Sequence, residues 1–225
     1  MSVKLQFSQS WDNSAIDNTD LESTEFENKY QNLTIIRLRY LISKITLTNS
    51  LDEIVASETY QLIDISNPES AMLSFPEKMP EGFYKLSFTF GFNDDDNKSG
   101  IYPDLNTADW NVPDIIGGGY HFMQLDGNFK DSNGKEQPYA FHVIRAYDTA
   151  KNVTEDTSIN IETSPFQLKN DATIEIKMNV AGWFKNPNNW DLREKSVNLM
   201  VDFEAQKTMF ENGKSGVFSL GTIDQ

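Results

Sequence analysis

The sequence predicts an all-β protein: an antiparallel β-sandwich of about eight or more strands with one C-terminal helix. Apolar and polar residues alternate with a period of two along much of the chain, and polar turn residues separate the alternating segments. Such alternation is typical of strands that bury one face. One segment near the C-terminus has helical spacing instead. These observations together favour two packed sheets and a single helix.

Alternation is clearest near the N-terminus, in the middle of the chain and in its last quarter. It covers residues 3–7, 84–92 and 174–180. The other predicted strands are residues 34–48, which we expect to be bent or broken, 59–65, 120–129, 139–147, 158–163 and a short last strand at 216–223. Polar turns between these segments predict hairpins and crossovers rather than long linkers.

The helix is predicted over residues 196–213. Its apolar residues recur at intervals of three or four, at Val197, Val201 and Ala205 among others. Ser196 is the expected N-cap, and Gly213 is expected to end the helix in a left-handed conformation. Because no internal repeat or long low-complexity linker interrupts the chain, we expect one domain over residues 1–225.

Composition excludes several classes of function. The net charge of −15 argues against nucleic acids and anionic membrane surfaces, which attract basic proteins. The absence of cysteine excludes disulfides, thiolate metal sites and cysteine nucleophiles. No apolar run reaches the length of about 18 residues that predicts a membrane span.

Two histidines are all that the chain contains, and both fall in strands that flank a predicted hairpin turn at residues 133–134. A two-residue turn there places His121, Met123 and His142 in one stripe on one face of the ribbon. Imidazole with thioether favours copper, particularly Cu(I), over magnesium or calcium. The sequence therefore predicts a metal site made of these three residues.

The same register separates the backbones of the two histidines by about 14 Å. A bulge would shorten that gap, whereas a slip of one residue would put the histidines on opposite faces. The structural alternative is a pair of hydrogen-bonded histidines in a sandwich core.

A second candidate site is the acidic loop at residues 93–110. Asp94, Asp95 and Asp96 offer oxygen ligands suited to Ca²⁺, although the loop lacks the EF-hand pattern. The alternative is a solvated loop that only joins two strands. The tryptophans at 110, 183 and 190 sit near turn residues. They plug the ends of the sandwich or, alternatively, form a sugar-stacking platform or an oxidisable ligand.

Signatures of catalysis are absent from the sequence. We find no defensible Ser-His-Asp spacing, no GxSxG, no HExxH and no phosphate-binding loop. The prediction is therefore a protein that is not an enzyme.

Several segments, in order along the chain, resemble one known family. They are LRYLISKITLT (38–48), YKLSFTFGFND (84–94), GGGYHFMQLDGNF (117–129), YAFHVI (139–144), MNVAGWFKNPNNWD (178–191) and EAQKTMFENGKSGVFSL (204–220). The family is that of the methanobactin-associated periplasmic copper-binding (MbnP-like) proteins, in the variant seen in Bacteroidota. The GGGYHFM and NPNNWD stretches are its more specific parts.

This resemblance implies a β-sandwich in the periplasm or anchored to the outer membrane by a lipid on the full-length precursor. It also implies copper binding and a di-haem cytochrome c peroxidase-like partner. His121 and His142 match the motif histidines, and Trp110 lies closest to a tryptophan that lines the copper site and is oxidised in some members. Many members carry another histidine after the first strand, where this chain has residues 8–10, SQS. The alternative function is a calcium-stabilised, non-catalytic module that binds a glycan or a protein.

Overall fold

Most of the chain is β-strand in the computed structural model, which describes residues 1–16 and 23–225. The strands of the described residues are β1 (Val3–Trp11), β2 (Ser14–Ala15), β3 (Phe26–Glu27), β4 (Asn32–Asn49), β5 (Ile54–Asp64), β6 (Met72–Ser74), β7 (Gly82–Phe90), β8 (Met123–Lys130), β9 (Glu136–Val143), β10 (Ala146–Asp148), β11 (Val153–Glu155), β12 (Ile159–Glu162), β13 (Phe166–Leu168), β14 (Ala172–Asn179) and β15 (Phe218–Asp224). The α-helices are α1 (Pro103–Thr107), α2 (Gly182–Lys185) and α3 (Phe203–Lys214).

Two large sheets face each other. The smaller has the order β15-β14-β1-β2, with β6 also on β1. The larger follows the path β12-β7-β4-β8-β9, with β3 and β5 also on β4 and β13 also on β7. Side chains from both sheets share one apolar core, in which the Phe7 and Phe88 ring centroids are 6.4 Å apart. The predicted sandwich is confirmed.

One strand pair departs from the antiparallel pattern. β1 and β14 run parallel, with Val3 opposite Ala172 and Ser10 opposite Asn179. The other pairs between named strands are antiparallel within the described chain. The N-terminal strand thus pairs on one side with a strand from the last quarter of the chain and on the other side with β2 and β6.

Strand β4 is the long central strand of the larger sheet. Its 18 residues pair with β8 through the first half, with β7 through the second half and with β5 along the opposite edge. Register shifts between Ile35 and Arg37 and between Ser43 and Thr46 bend it without ending it. The expected bend in residues 34–48 is therefore present, and the strand is continuous.

The C-terminal helix is confirmed, but its predicted ends are wrong. α3 begins after Asp202, whose side chain accepts a hydrogen bond from Ala205 N at 2.9 Å. Ser196 and Val197 precede it, and Gly213 lies inside the helix. Gly213 is needed there because a Cβ would meet the Trp183 ring at 2.5 Å. In the described part of the chain, no helix is long and apolar enough to cross a membrane.

Candidate metal centre

Strands β8 and β9 form the predicted hairpin with a register that differs by one residue. Gln124 lies opposite His142. The predicted two-residue turn would instead place Leu125 opposite His142. The turn is the cause: Asp131 N donates to Lys135 O and Gly134 N donates to Asp131 O, each at 2.9 Å. Three residues, 132–134, therefore lie between the paired Asp131 and Lys135, with Gly134 at φ 74° in the left-handed conformation that such loops use.

The corrected register removes Met123 from the predicted stripe. Met123 lies opposite Val143, and both are buried in the core between the sheets. His142 is the neighbour of Val143 and so points to the outer face of the larger sheet. A shift of one residue reverses the face of a strand. The predicted third ligand is thus a core side chain.

His121 reaches the outer face because the chain is irregular just before β8. Phe122 N donates to Val143 O at 2.8 Å, and Met123 is the register partner of the same Val143. Two residues that oppose one form a β-bulge. Phe122 and Met123 are both fully buried in the core. His121 therefore lies on the same face of the sheet as His142. The two imidazole centroids are 5.3 Å apart, with ring planes at 81°.

The ring of His121 is held in one tautomer. Its Nδ1 lies 3.0 Å from Trp110 O. A carbonyl oxygen only accepts, so Nδ1 carries the proton and Nε2 carries the lone pair. Nε2 is buried and has no hydrogen-bond partner among the described residues.

The ring of His142 is held through its other nitrogen. Its Nε2 lies 2.9 Å from Asp126 Oδ1. Burial alone would raise the pKa of Asp126, but the hydrogen bonds and charges of His142 and Arg37 lower it overall. The ionised carboxylate therefore accepts and Nε2 donates, which leaves Nδ1 as the His142 nitrogen available to a metal ion.

Burial keeps His121 neutral. It lowers the pKa of this imidazole to about 4, and the charges of His142 and Arg39 act in the same direction. The Trp110 carbonyl and the Asp109 carboxylate oppose the shift. Neutral imidazole is the form that binds metal ions, so His121 is ready to be a ligand at neutral pH.

Trp110, the aromatic residue that the family resemblance implied for the site, lies beside His121. The loop after α1 brings its fully buried indole to His121, with ring centroids 5.7 Å apart. His121 N also donates to Trp110 O at 2.9 Å, which fixes the two residues together. The guanidinium of Arg39 lies over the indole, with Cζ 5.1 Å from the ring centroid.

Polar residues that the sequence prediction missed complete the outer face. Arg39 of β4, Gln124 of β8 and His142 of β9 lie side by side in register, and Arg37 lies opposite Asp126 in the next row. The signal for them was present: arginines alternate with apolar residues in TIIRLRYL, so both point away from the core. Nothing in the sequence pointed to Asp126.

The separation of the two imidazoles is within the range that one shared ion requires. Two rings bonded to one ion at about 2.0 Å have centroids no more than about 6.3 Å apart, and the observed separation of 5.3 Å is within that limit. Metal-binding histidines usually donate their other nitrogen to a carboxylate or a backbone carbonyl, as both do here. Within residues 1–16 and 23–225, no group of three or more His, Cys, Asp or Glu side chains could hold a metal.

The acidic loop is not arranged as the predicted calcium site. Asp94 pairs with Arg145 and Asp96 with Lys44, each at 3.1 Å. The carboxylates of Asp94, Asp95 and Asp96 do not come together as a group that could hold an ion. Arg145 and Lys44 belong to other parts of the fold, so the loop sequence could not reveal that they pair with Asp94 and Asp96.

A sugar-stacking platform is also absent from these tryptophans. The exposed fractions of Trp110, Trp183 and Trp190 are 0%, 0% and 3%. All three indoles are buried, so none offers a face to a glycan.

Comparisons with known proteins agree with the fold. A family model named MbnP matches residues 1–202. The solved structure of MbnP from Methylosinus trichosporium is similar over 98% of this chain and 98% of its own, with a TM-score of 0.57 and 12% sequence identity. That likeness shows a shared fold, and no curated protein matches the chain. Because the family model spans most of its length, the chain belongs to the MbnP family of methanobactin-associated periplasmic proteins.

Proposed function

We propose that this protein binds copper through His121 Nε2 and His142 Nδ1 and handles or stores the metal without catalysing a reaction. The observation that carries the proposal is the close approach of the His121 and His142 imidazoles, whose ring centroids lie 5.3 Å apart on the outer face of the larger sheet. His121 Nε2 is buried and without a partner in the described chain. A buried polar atom without a partner is costly, and a bound ion would satisfy it.

The donor set supports copper over other ions. Imidazole suits copper, zinc, iron and nickel, and copper heads the affinity order of the divalent first-row metals. Calcium and magnesium prefer oxygen donors, of which this pair offers none. His121 and His142 would hold the ion, Trp110 would line it, and Asp126 and the Trp110 carbonyl would orient the rings.

Family membership supports the finer parts of the proposal. The protein acts in the periplasm, anchored to the outer membrane by a lipid on its precursor. Its partner is a di-haem cytochrome c peroxidase-like protein, and Trp110 is the aromatic residue of the site that such a partner would modify.

Competition titrations test the metal assignment. Cu(I) and Cu(II) are titrated against a chromophoric chelator with wild type, His121→Gln and His142→Gln. Since the chain has only these two histidines, we expect each variant to lose at least about tenfold in copper affinity. Met123→Leu, a change in the core, is the matched control and should bind copper as wild type does. Equal affinity and stoichiometry in wild type and both histidine variants would reject the proposal.

A further inference from the structure

Arg39 is a half-buried cation without a carboxylate partner among the described residues. Its Nη1 donates to Ala108 O at 3.1 Å, and its Nη2 donates to Gln124 Oε1. Both acceptors are neutral. The other three arginines each form an ion pair with an aspartate: Arg37 with Asp126, Arg145 with Asp94 and Arg193 with Asp191.

The acidic groups around Arg39 do not neutralise it by contact. Asp64, its register partner on β5, instead accepts hydrogen bonds from Ser66. Asp126 is engaged by Arg37 and His142. Asp109 acts on Arg39 only through space. Charges removed from water are normally paired, so this one has capacity for an anion.

Three hydrogen-bonding atoms without a partner lie on neighbouring side chains here, while five others in the described chain belong to different residues. Arg39 Nε, Trp110 Nε1 and His121 Nε2 are all buried without a partner in the part of the chain that the structure describes. The three side chains contact one another in series, with Arg39 over Trp110 and Trp110 beside His121. Two of these atoms are N–H donors, and the third carries a lone pair. Such clustering is explained by a bound species that accepts from the donors while the lone pair binds a cation.

We propose that Arg39 and Trp110 form a binding subsite for a small monoanion beside the histidine pair. The anion accepts from Arg39 Nε–H and Trp110 Nε1–H and balances the charge of the guanidinium. Its position next to the metal rests on the proposed copper function. There it supplies a further ligand to an ion for which the chain provides only two imidazoles.

Azide titration of the Cu(II)-loaded protein tests this subsite. Binding is followed by the azide-to-copper charge-transfer absorption, normalised to the copper content measured in each sample. Loss of a hydrogen bond to a charged group predicts azide affinity at least about tenfold weaker in Arg39→Gln. Arg193→Gln removes the same charge from a surface ion pair with Asp191 and should match wild type. Equal azide affinity in the two variants overturns the subsite, while copper binding in the same samples leaves the proposed function standing.

A second measurement does not depend on copper. Metal-free crystals in bromide should show an anomalous peak beside Arg39 and Trp110 in wild type and none in Arg39→Gln. A peak that persists in the variant is an adventitious ion only and overturns the subsite, as does the absence of a peak in wild type. If copper does not bind at all, the proposed function fails and the bromide peak alone decides the anion subsite. If Arg39→Gln does not fold, Arg39→Lys, which keeps the charge but lacks Nε, replaces it in both experiments and is expected to weaken binding.

Discussion

His142 donates its Nε2–H to Asp126 Oδ1 across 2.9 Å, from one strand of the hairpin to the other. The same carboxylate also accepts from Arg37 Nε at 2.6 Å. Because Nε2 is hydrogen-bonded to the carboxylate, Nδ1 is the nitrogen of His142 that can bind a metal ion.

Replacing that carboxylate should weaken copper binding. Asp126→Asn can present either an oxygen or an NH₂ group to His142, so the tautomer is no longer fixed, and we expect a loss of about 10- to 100-fold in copper affinity. Asp224→Asn removes an equal charge at an exposed position on β15 of the smaller sheet and serves as the control. Competition titration measures both, and an unchanged affinity in Asp126→Asn would show that the carboxylate does not position the ring.

Stability of the metal-free protein should fall in acid through His121. Its pKa is about 4 in the folded chain against the ordinary value of 6.5. The unfolded state therefore binds more protons between these values, so stability is lost as pH falls from 6.5 toward 4 and this group causes no further loss below. The total is on the order of 3 kcal/mol.

Urea unfolding of wild type and His121→Gln between about pH 7 and about pH 4.5 measures this effect. The variant should lose less stability over that interval, since glutamine does not titrate. The groups that face His121, namely His142, Arg39 and Asp109, are present in both proteins. Parallel pH profiles would exclude His121 as the cause.

Gln206 should prove important for the fold behind the histidine pair. It is fully buried on α3, accepts from Ile144 N at 2.9 Å and donates to His142 O and Leu199 O at 2.8 and 3.0 Å. Gln206→Leu leaves these three groups without a partner and should cost about 2–4 kcal/mol of unfolding free energy. Urea unfolding measures the loss. Thr208→Ala on the same helix removes a hydroxyl that donates to Glu204 O at 2.8 Å and should change stability by less than about 0.5 kcal/mol.

Gly127 should tolerate no side chain. A Cβ there would lie 1.9 Å from Thr34 O and 2.8 Å from the Tyr139 ring, so Gly127→Ala should cost at least about 1–3 kcal/mol through strain. Gly82→Ala on β7 is the matched control, because its nearest contact would be an ordinary 3.6 Å. Chemical denaturation of both variants compares them, and similar losses would contradict this interpretation of the clash.

Much of the fold was accessible from the sequence. Alternation in β1, β7 and β14 reports directly which face of each strand is buried, and burial follows it. The parallel neighbours β1 and β14 were not predictable, because side-chain periodicity does not identify a partner strand. Helix α3 was found but its start was not, since the apolar spacing of Val197 and Val201 continued into a segment that leaves both exposed.

The candidate site was predictable in part. The predicted hairpin identified the two histidines as candidate ligands. In the structure, the bulge at Phe122 and Met123 places both histidines on one face of the sheet. Both the loop length and the bulge depend on backbone conformations that the residue pattern does not encode. Arg39 was missed because its importance comes from the absence of a nearby carboxylate, which only the three-dimensional arrangement reveals.

The parallel pairing of β1 with β14 also constrains when the molecule can become complete. Val3 pairs with Ala172, so β1 is synthesised well before its partner strand β14. Pairings this distant in sequence slow folding, and a strand edge left open invites association with other chains. A chain that stops before residue 172 therefore lacks the strand that pairs with β1 at the centre of the smaller sheet, and the sandwich can assemble only once β14 is present.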